Sequence, residues 1–321
     1  MRWFSLATAF LWGYYGFDNF GDELMFKACV NLLRELGFGT IYTPLPKGKK
    51  SMGVTSVDRY SIKLLSLLKK SQVSIAGGGG LFQDVTSLRS LLYYYSISKA
   101  SLLMDKPLIF FGNSVGPLRR RLSKKLVWDV FKDKRTVFIA RDPASYRYVK
   151  MVGGNAVLGT DPAIIHLMES DMEKKTEKKA VFFLKSPMDV SYILKSLRDQ
   201  GINDFVISTA FPGDHSYLPP LRNGENLLEE IVSSSIVITE RFHPALVAAY
   251  FEIPFIIVDC QKARRFFARY TKEDHFFSKR DPLEISLKVP VVLKKELKLK
   301  EKMKNDAIEM KEMLKGVLKG W

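Results

Sequence analysis

An arginine and a histidine, Arg241 and His243, lie two residues apart in the segment TERFHPALVAAY. The apolar run at 236–238 predicts a buried strand before them, and the run at 245–250 predicts a helix after them. Arg241 offers a planar fork of donors to a carboxylate or phosphate, and His243 can exchange a proton near neutral pH. Ligands bind beyond the carboxyl ends of strands in open α/β sheets, so the pair is a candidate catalytic site. The alternative is a structural arginine paired with Glu240 beside a capping histidine.

The composition describes a globular, basic chain. Its 321 residues predict about two domains, and its 46% hydrophobic content argues against disorder. A formal net charge of +16 predicts an anionic partner, although a solvated lysine-rich face would give the same total. The abundant lysine and scarce glutamine are weakly indicative of a thermophile.

Cysteine content and hydropathy indicate the cellular compartment of the protein. Cys29 and Cys260 are far apart and imply neither a disulfide framework nor a cysteine-based metal site, so a reducing, cytoplasmic compartment is expected. No apolar stretch is long enough to predict a transmembrane helix. The apolar start of the chain resembles a short signal peptide, but a first buried strand is the preferred interpretation.

Strands and helices alternate along the chain, which predicts an α/β fold with parallel sheets. The first strand is followed by GYYGFDNFGDE at 13–23, a glycine-containing loop before a helix predicted over 24–36. Backbone N–H groups can approach a ligand there, which makes Gly16, Asn19 and Asp22 candidate substrate-binding residues. Helix capping is the competing role for Asn19 or Asp22.

Three more strand ends carry candidate residues. A strand predicted over 72–76 leads into GGGGLFQD, where four glycines imply positive φ or a very close approach of another group. A ligand-facing loop is the preferred interpretation. A strand over 107–111 precedes GNSVGP, and a strand over 136–140 ends in a cation that helix capping does not explain. The candidate substrate-binding residues from these segments are Gly77, Gly78, Gly79, Gly80, Asp84, Ser114 and Arg141.

The domain prediction rests on a charged run at 169–179, which is interpreted as a linker. It separates an N-terminal Rossmann-like domain over 1–170 from a C-terminal Rossmann-like domain over 178–290. Lys262 follows a strand of the second domain and is expected to point toward the Arg241 loop. A single amphipathic helix is predicted over 291–321, with an apolar stripe of Met303, Ala307, Met310, Leu314, Val317 and Trp321.

The ordered set GYYGFDNFGDE, GGGGLFQD, GNSVGPL, ARD, GTDPA and ERFHPALVAAY resembles the polysaccharide pyruvyl transferase family over about residues 13–262. The resemblance implies two Rossmann-like domains facing a cleft, as in GT-B glycosyltransferases. It also implies transfer of the enolpyruvyl group of phosphoenolpyruvate to a sugar diol as a ketal, with release of phosphate. The family's Arg-x-His signature corresponds to Arg241 and His243, and its first-half arginine to Arg141. Glu240, Phe242 and Pro244 depart from the residues common in the family.

The implied mechanism assigns a role to each side chain. Arg241, Arg141 and Lys262 would bind the donor's anionic groups, and His243 would protonate its methylene carbon. Asp22 or Asp84 would orient or deprotonate the acceptor. The domain over 1–170 is thus the expected acceptor side, and the domain over 178–290 is the expected donor side. Phosphoenolpyruvate is a co-substrate, and neither a cofactor nor a metal is expected.

The resemblance also implies a cellular setting and leaves rivals open. The expected setting is cell-surface polysaccharide biosynthesis, in the cytoplasm or at the inner face of the membrane, with a glycan or lipid-linked sugar as acceptor. The C-terminal helix would allow a peripheral membrane contact, and no nucleic-acid partner is expected. One rival is a GT-B glycosyltransferase using a nucleotide sugar. The other is a non-catalytic binder of an anionic polymer, whose binding would fall steeply with salt.

Overall fold

The structure is a computed structural model that describes residues 7–175, 177–212, 214, 221–223 and 226–320. The chain divides into two compact units. Of the described residues, the first unit comprises 7–18, 22–166 and 305–320, and the second comprises 19–21 and those between 167 and 304. The last helix therefore contributes residues to both units.

Strands and helices alternate, as the sequence predicts. The strands are β1 (Thr8–Trp12), β2 (Thr40–Leu45), β3 (Thr55–Asp58), β4 (Val73–Phe82), β5 (Leu108–Val115), β6 (Thr136–Ala140), β7 (Asn155–Leu158), β8 (Lys179–Phe183), β9 (Asp204–Ile207), β10 (Arg222–Asn223), β11 (Ile236–Thr239), β12 (Phe255–Val258) and β13 (Phe277–Ser278). The α-helices are α1 (Phe20–Glu35), α2 (Lys63–Lys70), α3 (Leu88–Leu103), α4 (Arg121–Phe131), α5 (Pro143–Met151), α6 (Ala163–Met168), α7 (Ser191–Asp199), α8 (Leu227–Val232), α9 (Phe242–Tyr250), α10 (Gln261–Phe267), α11 (Pro282–Leu293) and α12 (Lys300–Lys319).

Each unit has a parallel sheet with the Rossmann strand order. The first sheet runs β3-β2-β1-β4-β5-β6-β7, and the second runs β10-β9-β8-β11-β12-β13. In both sheets the chain builds outward in one direction, returns to the centre and builds outward in the other. The order reverses between β1 and β4 in the first sheet and between β8 and β11 in the second. Such switch points are where open α/β sheets bind ligands.

The central strands are buried on both faces, which is why they are apolar without alternation. In the first unit an aromatic cluster holds the helices against one face of the sheet. Phe110 lies 5.9 Å from Trp12, 5.3 Å from Phe82 and 5.5 Å from Phe138, measured between ring centroids. These rings are nearly fully buried and provide a rigid support for the loops at the strand ends.

The structure corrects two predicted boundaries. Gly77–Gly80 lie inside β4, which continues to Phe82 with a register shift against β5 after Gly79, and do not form a loop. The helix predicted over 291–321 is also interrupted. Residues 291–293 end α11, and α12 begins only at Lys300. Leu297 and Leu299 are both buried on either side of an exposed lysine, an alternation that suits extended chain and not a helix.

The apolar stripe of the last helix is buried from Met303 to Leu314 and half-buried at Val317. Met303, Ala307, Met310 and Leu314 are at most 1% exposed, whereas Trp321 lies outside the described residues. Within the first unit, the Met310 sulfur lies 3.3 Å from the backbone nitrogen of Thr160. The stripe is thus used for packing. No helix in the described part of the chain combines the length and apolar composition needed to cross a membrane.

Candidate functional site

Arg241 lies at the switch point of the second sheet. It lies two residues after the end of β11 and is the N-cap residue of α9. The Arg241 N–H donates to the Thr239 hydroxyl at 2.8 Å, and that hydroxyl donates to the Arg241 carbonyl at 3.0 Å. These two bonds fix the backbone from which the guanidinium projects.

The guanidinium of Arg241 is oriented by Asp214, a residue that sequence analysis did not select. Its Nε donates to Asp214 Oδ2 at 3.1 Å, and its Nη2 donates to Asp214 Oδ1. The Asp214 side chain is 1% exposed and that of Arg241 is 28% exposed. No hydrogen bond joins Nη1 to another residue of the described ranges. Asp214 therefore holds one edge of the fork and leaves Nη1 for a ligand.

Glu240 does not pair with Arg241, contrary to the structural alternative raised by the sequence. Its carboxylate accepts from the backbone N–H of Lys185 at 2.6 Å and from Arg280 Nε at 2.8 Å. The side chain is 5% exposed. Through these two bonds it links the end of β11 to the segments that contain Lys185 and Arg280. Because its oxygens are engaged in this way, Glu240 is not positioned to compete with a substrate carboxylate for Arg241.

His243 is the second residue of α9 and is half-buried. Its ring lies 4.7 Å from that of Phe242, which packs on Phe266. The ring of His243 also covers Gly21, one of three residues of the 19–21 segment that group with the second unit. A Cβ built on Gly21 would overlap the imidazole at Nδ1, so only glycine fits there. The Phe20 N–H secures this segment by donating to the Ala210 carbonyl at 3.0 Å.

Lys262 is an exposed residue in the first turn of α10, which follows β12. Since β12 is the parallel neighbour of β11, α10 and α9 begin at the same edge of the second sheet. Lys262 therefore lies at the same sheet edge as the Arg241 loop, as the sequence predicted. Its role as a donor ligand stays a prediction.

Arg141 has a different environment in the first unit. Its side chain is 3% exposed, and Nη1 lies 2.7 Å from the fully buried Asp161 carboxylate. Nε donates to the Ser114 hydroxyl at 2.6 Å, and that hydroxyl donates to Asp142 at 2.7 Å. Asp142 is the N-cap residue of α5, and its carboxylate accepts from the Ser145 N–H at 2.9 Å. Arg141 and Ser114 thus belong to a buried network, and their substrate-binding roles stay predictions.

Gly77 and Gly78 pack closely against other parts of the first unit. Gly78 and Gly79 have φ values of +80° and +81°, which confirms the expectation of positive φ. A Cβ on Gly78 would collide with the Met25 sulfur, and one on Gly77 would collide with the Tyr15 hydroxyl. Asn113 Nδ2 donates to the Gly78 carbonyl at 2.6 Å. The absence of side chains therefore lets α1 and the loop after β1 approach β4 closely. This is the close approach of another group that the sequence predicted as an alternative to positive φ.

Asp84 has a structural role, because it binds the backbone of residues 119 and 120. It is 7% exposed, and its two carboxylate oxygens accept from the backbone N–H groups of Arg119 and Arg120, each at 2.8 Å. Burial alone would raise the pKa of Asp84, but these N–H donors outweigh it and hold that pKa below its usual value. A carboxylate stabilised in this way is a weak base.

The loop after β1 gathers the other predicted residues of the first sheet. Asp22 and Glu23 lie in the first turn of α1, which begins at Phe20 and not at residue 24. Asp22 Oδ1 would lie 3.3 Å from a Cβ built on Gly79, so it faces the glycine run. Gly16 has φ of +76°, and its N–H donates to Glu23 at 2.7 Å. Asn19 precedes the helix and is half-buried. Burial raises the pKa of Glu23, a residue that the sequence did not single out.

The described residues include no group of three or more His, Cys, Asp or Glu side chains arranged to hold a metal ion. The chemical groups assembled at the second switch point are instead an oriented guanidinium and an imidazole. Together they can bind an anion and exchange a proton.

Comparison with known proteins supports a family assignment. The family model described as "Polysaccharide pyruvyl transferase" matches residues 19–262, which include the whole Arg241–His243 segment. A search of curated proteins gives no match to this chain.

Solved structures show the fold. The UDP-GlcNAc 2-epimerase from Methanocaldococcus jannaschii is similar at a TM-score of 0.61 and 8% identity, over 98% of this chain and 100% of that one. The UDP-GlcNAc 2-epimerase from Neisseria meningitidis gives 0.55 and 11%, over 96% and 99%. A spinosyn rhamnosyltransferase complexed with thymidine diphosphate gives 0.51 and 10%, over 96% of each chain. At such identities the likeness concerns the fold alone, which is of the two-unit GT-B type.

Proposed function

The chain belongs to the polysaccharide pyruvyl transferase family and is a transferase, and we propose that it transfers the enolpyruvyl group of phosphoenolpyruvate to two hydroxyls of a sugar. The product is a ketal-linked pyruvate, and phosphate is released. The observation that carries this proposal is Arg241, held by Asp214 at the second switch point with Nη1 open to a ligand. Phosphoenolpyruvate carries a carboxylate and a phosphate, and a guanidinium fork recognises either group.

His243 is proposed to act as the general acid. Protonation of the C3 methylene of phosphoenolpyruvate creates cationic character at C2, which the first sugar hydroxyl attacks, losing its proton to a base. Phosphate then leaves C2, and the second hydroxyl attacks the resulting cation and loses its own proton. The two hydroxyls thus release two protons. One balances the proton that His243 gave to C3, and the other is carried away by the departing phosphate. A positioned acid contributes about 10²–10⁴-fold to such a step.

Asp22 is the proposed acceptor-side base, in preference to Asp84. The Asp84 carboxylate accepts two backbone N–H bonds and has a lowered pKa, so it takes up a proton poorly. Asp22 instead faces Gly79, where the strand has no side chain. Both residues belong to the first unit, which is consistent with an acceptor-binding role for that unit.

The proposed setting is cell-surface polysaccharide biosynthesis in the cytoplasm, with a glycan or lipid-linked sugar as acceptor. The family description supports a sugar or polysaccharide acceptor, and the net charge of +16 suits anionic substrates.

The test is phosphate release from phosphoenolpyruvate with a panel of sugar acceptors, for wild type and His243→Ala. The proposal predicts acceptor-dependent release, lowered by about 10²–10⁴-fold in a variant that remains folded and binds the donor. Near-normal turnover by His243→Ala would contradict the acid assignment. The absence of release with every acceptor, together with thermal stabilisation by a nucleotide sugar, would favour a glycosyltransferase.

A further inference from the structure

The first unit contains a cavity between α2 and α3. Its volume is about 320 Å³, at the lower end of the range of small-ligand pockets. Leu64, Leu65 and Leu68 of α2 form one wall, and Ile97 and Ala100 of α3 form another. The walls are thus predominantly apolar.

One charged side chain lines this cavity. Arg59 follows the end of β3, so it lies at the carboxyl edge of the first sheet. The residue is 8% exposed, and its Nε is buried with no hydrogen-bond partner. No carboxylate of the described residues forms an ion pair with it. A buried guanidinium without a counter-ion is costly, because charges and donors removed from water need partners.

Aromatic rings compensate part of that cost. The guanidinium carbon lies 4.4 Å from the ring centroid of Tyr93, 4.9 Å from that of Phe17 and 5.3 Å from that of Tyr60. Ring faces attract a cation, so the three rings hold the guanidinium of Arg59 in position. The hydroxyls of Tyr93 and Tyr94 also lie close enough to hydrogen-bond with Arg59. The Arg59 Nε–H remains as a buried donor without a partner, which an anion could accept from.

The neighbouring phenols do not supply a negative charge. Burial raises the pKa of Tyr93 to about 12, although the charge of Arg59 lowers it in part. Burial likewise raises the pKa of Tyr94. Both hydroxyls stay protonated at neutral pH, so the positive charge of Arg59 is not neutralised by them.

We propose that the cavity and Arg59 form a binding site for a small amphiphilic anion. Its apolar part would fill the space between α2 and α3, and its phosphate or carboxylate would bind in the plane of the Arg59 guanidinium. An apolar pocket with a single polar group that fixes orientation is the usual design of small-molecule sites. This site involves neither Arg241 nor His243 and stands independently of the proposed reaction.

Calorimetric titration of the whole chain with octyl phosphate tests the proposal. We expect one octyl phosphate per chain with an affinity at least about tenfold higher than that of inorganic phosphate or neutral octyl glucoside, since both halves of the probe contribute. Arg59→Gln, which removes the charge, should weaken octyl phosphate binding at least about tenfold. Ser96→Trp, which fills the cavity from an exposed position on α3, should weaken it similarly while leaving Arg59 in place.

An arginine variant away from both sites serves as a control. Arg147→Gln removes an exposed charge from α5. It should bind octyl phosphate as wild type does. Arg59→Lys should retain binding better than Arg59→Gln, and circular dichroism verifies that each variant is folded. If Arg59→Gln does not fold, Ser96→Trp and Arg59→Lys decide the outcome. Unchanged binding in Ser96→Trp, or equal affinity for inorganic phosphate, would overturn the proposal.

Discussion

Arg141 and Arg241 each follow the end of a parallel strand and each bind an aspartate, yet their environments differ. The side chain of Arg141 is 3% exposed and that of Arg241 is 28% exposed. Arg141 donates to Asp161 and Ser114, so its donors serve the interior of the first unit. Arg241 donates to Asp214 through one edge and keeps the other open. A cation at a strand end is therefore a ligand group only where the fold leaves some of its donors accessible.

The largest expected effect is on stability, through Arg141. Arg141→Gln leaves the fully buried Asp161 without its ion-pair partner, and we expect a loss of about 3–5 kcal/mol in the free energy of unfolding. Arg241→Gln should cost less, because Arg241 is partly exposed. Urea denaturation of both variants measures the difference. Equal losses would mean that the two arginines are equally structural, and the comparison would fail.

The next effect concerns activity, through the partner of Arg241. Asp214→Asn removes the charge that orients the guanidinium, and a shift of the order of 1 Å in a substrate-positioning group costs up to about 10²-fold. We expect kcat/KM for phosphoenolpyruvate to fall by about 10- to 100-fold.

Glu240→Gln is the matched control for this variant. It alters the acid next to Arg241 in sequence, but that acid contacts Lys185 and Arg280. The control should retain most of its kcat/KM. A larger loss in Glu240→Gln than in Asp214→Asn would contradict the assignment of Asp214 as the orienting residue.

The smallest expected effect separates the two acids of the first sheet. Asp84→Asn should lose roughly 1.5 kcal/mol of stability at neutral pH, the contribution of a charged hydrogen bond. Because the folded-state pKa of Asp84 is lowered, its ionised form stabilises the protein above the unfolded pKa, and this contribution disappears as pH falls through the folded pKa. The stability difference from wild type should therefore shrink in strongly acidic buffer.

Asp22→Asn should instead lower turnover and change stability little. A loss of turnover in Asp84→Asn together with a loss of stability in Asp22→Asn would exchange the two roles.

The alternating elements could be predicted from the sequence because buried parallel strands are short apolar runs. The strand over 136–140 and the strand-to-helix transition at Arg241 were both found where the pattern placed them. The glycine run was harder to interpret. Four glycines signal close approach, but the sequence does not tell whether a ligand or protein side chains approach them. At Gly77 and Gly78 the neighbours are side chains of α1 and of the segment at 11–15, and substrate binding by the run stays a prediction.

The partners of the two arginines and the buried Arg59 could not be predicted. Asp214 precedes Arg241 by 27 residues and belongs to the segment after β9, so their contact depends on strand order. Similarly, Arg59 looks like any surface arginine in sequence, and its burial results from rings contributed by Phe17 and Tyr93, far from it along the chain. Contacts of this kind arise from topology, which local patterns do not encode.

The most direct measurement follows the C2 carbon of phosphoenolpyruvate labelled at that position. The protein, the labelled donor and a sugar acceptor are incubated, and the products are examined by carbon NMR and mass spectrometry. The account predicts a ketal carbon attached to the sugar for wild type and a strongly reduced signal for His243→Ala and Arg241→Gln. Labelled carbon found only in free pyruvate or in unreacted donor, with active acceptors present, would contradict pyruvyl transfer at this site.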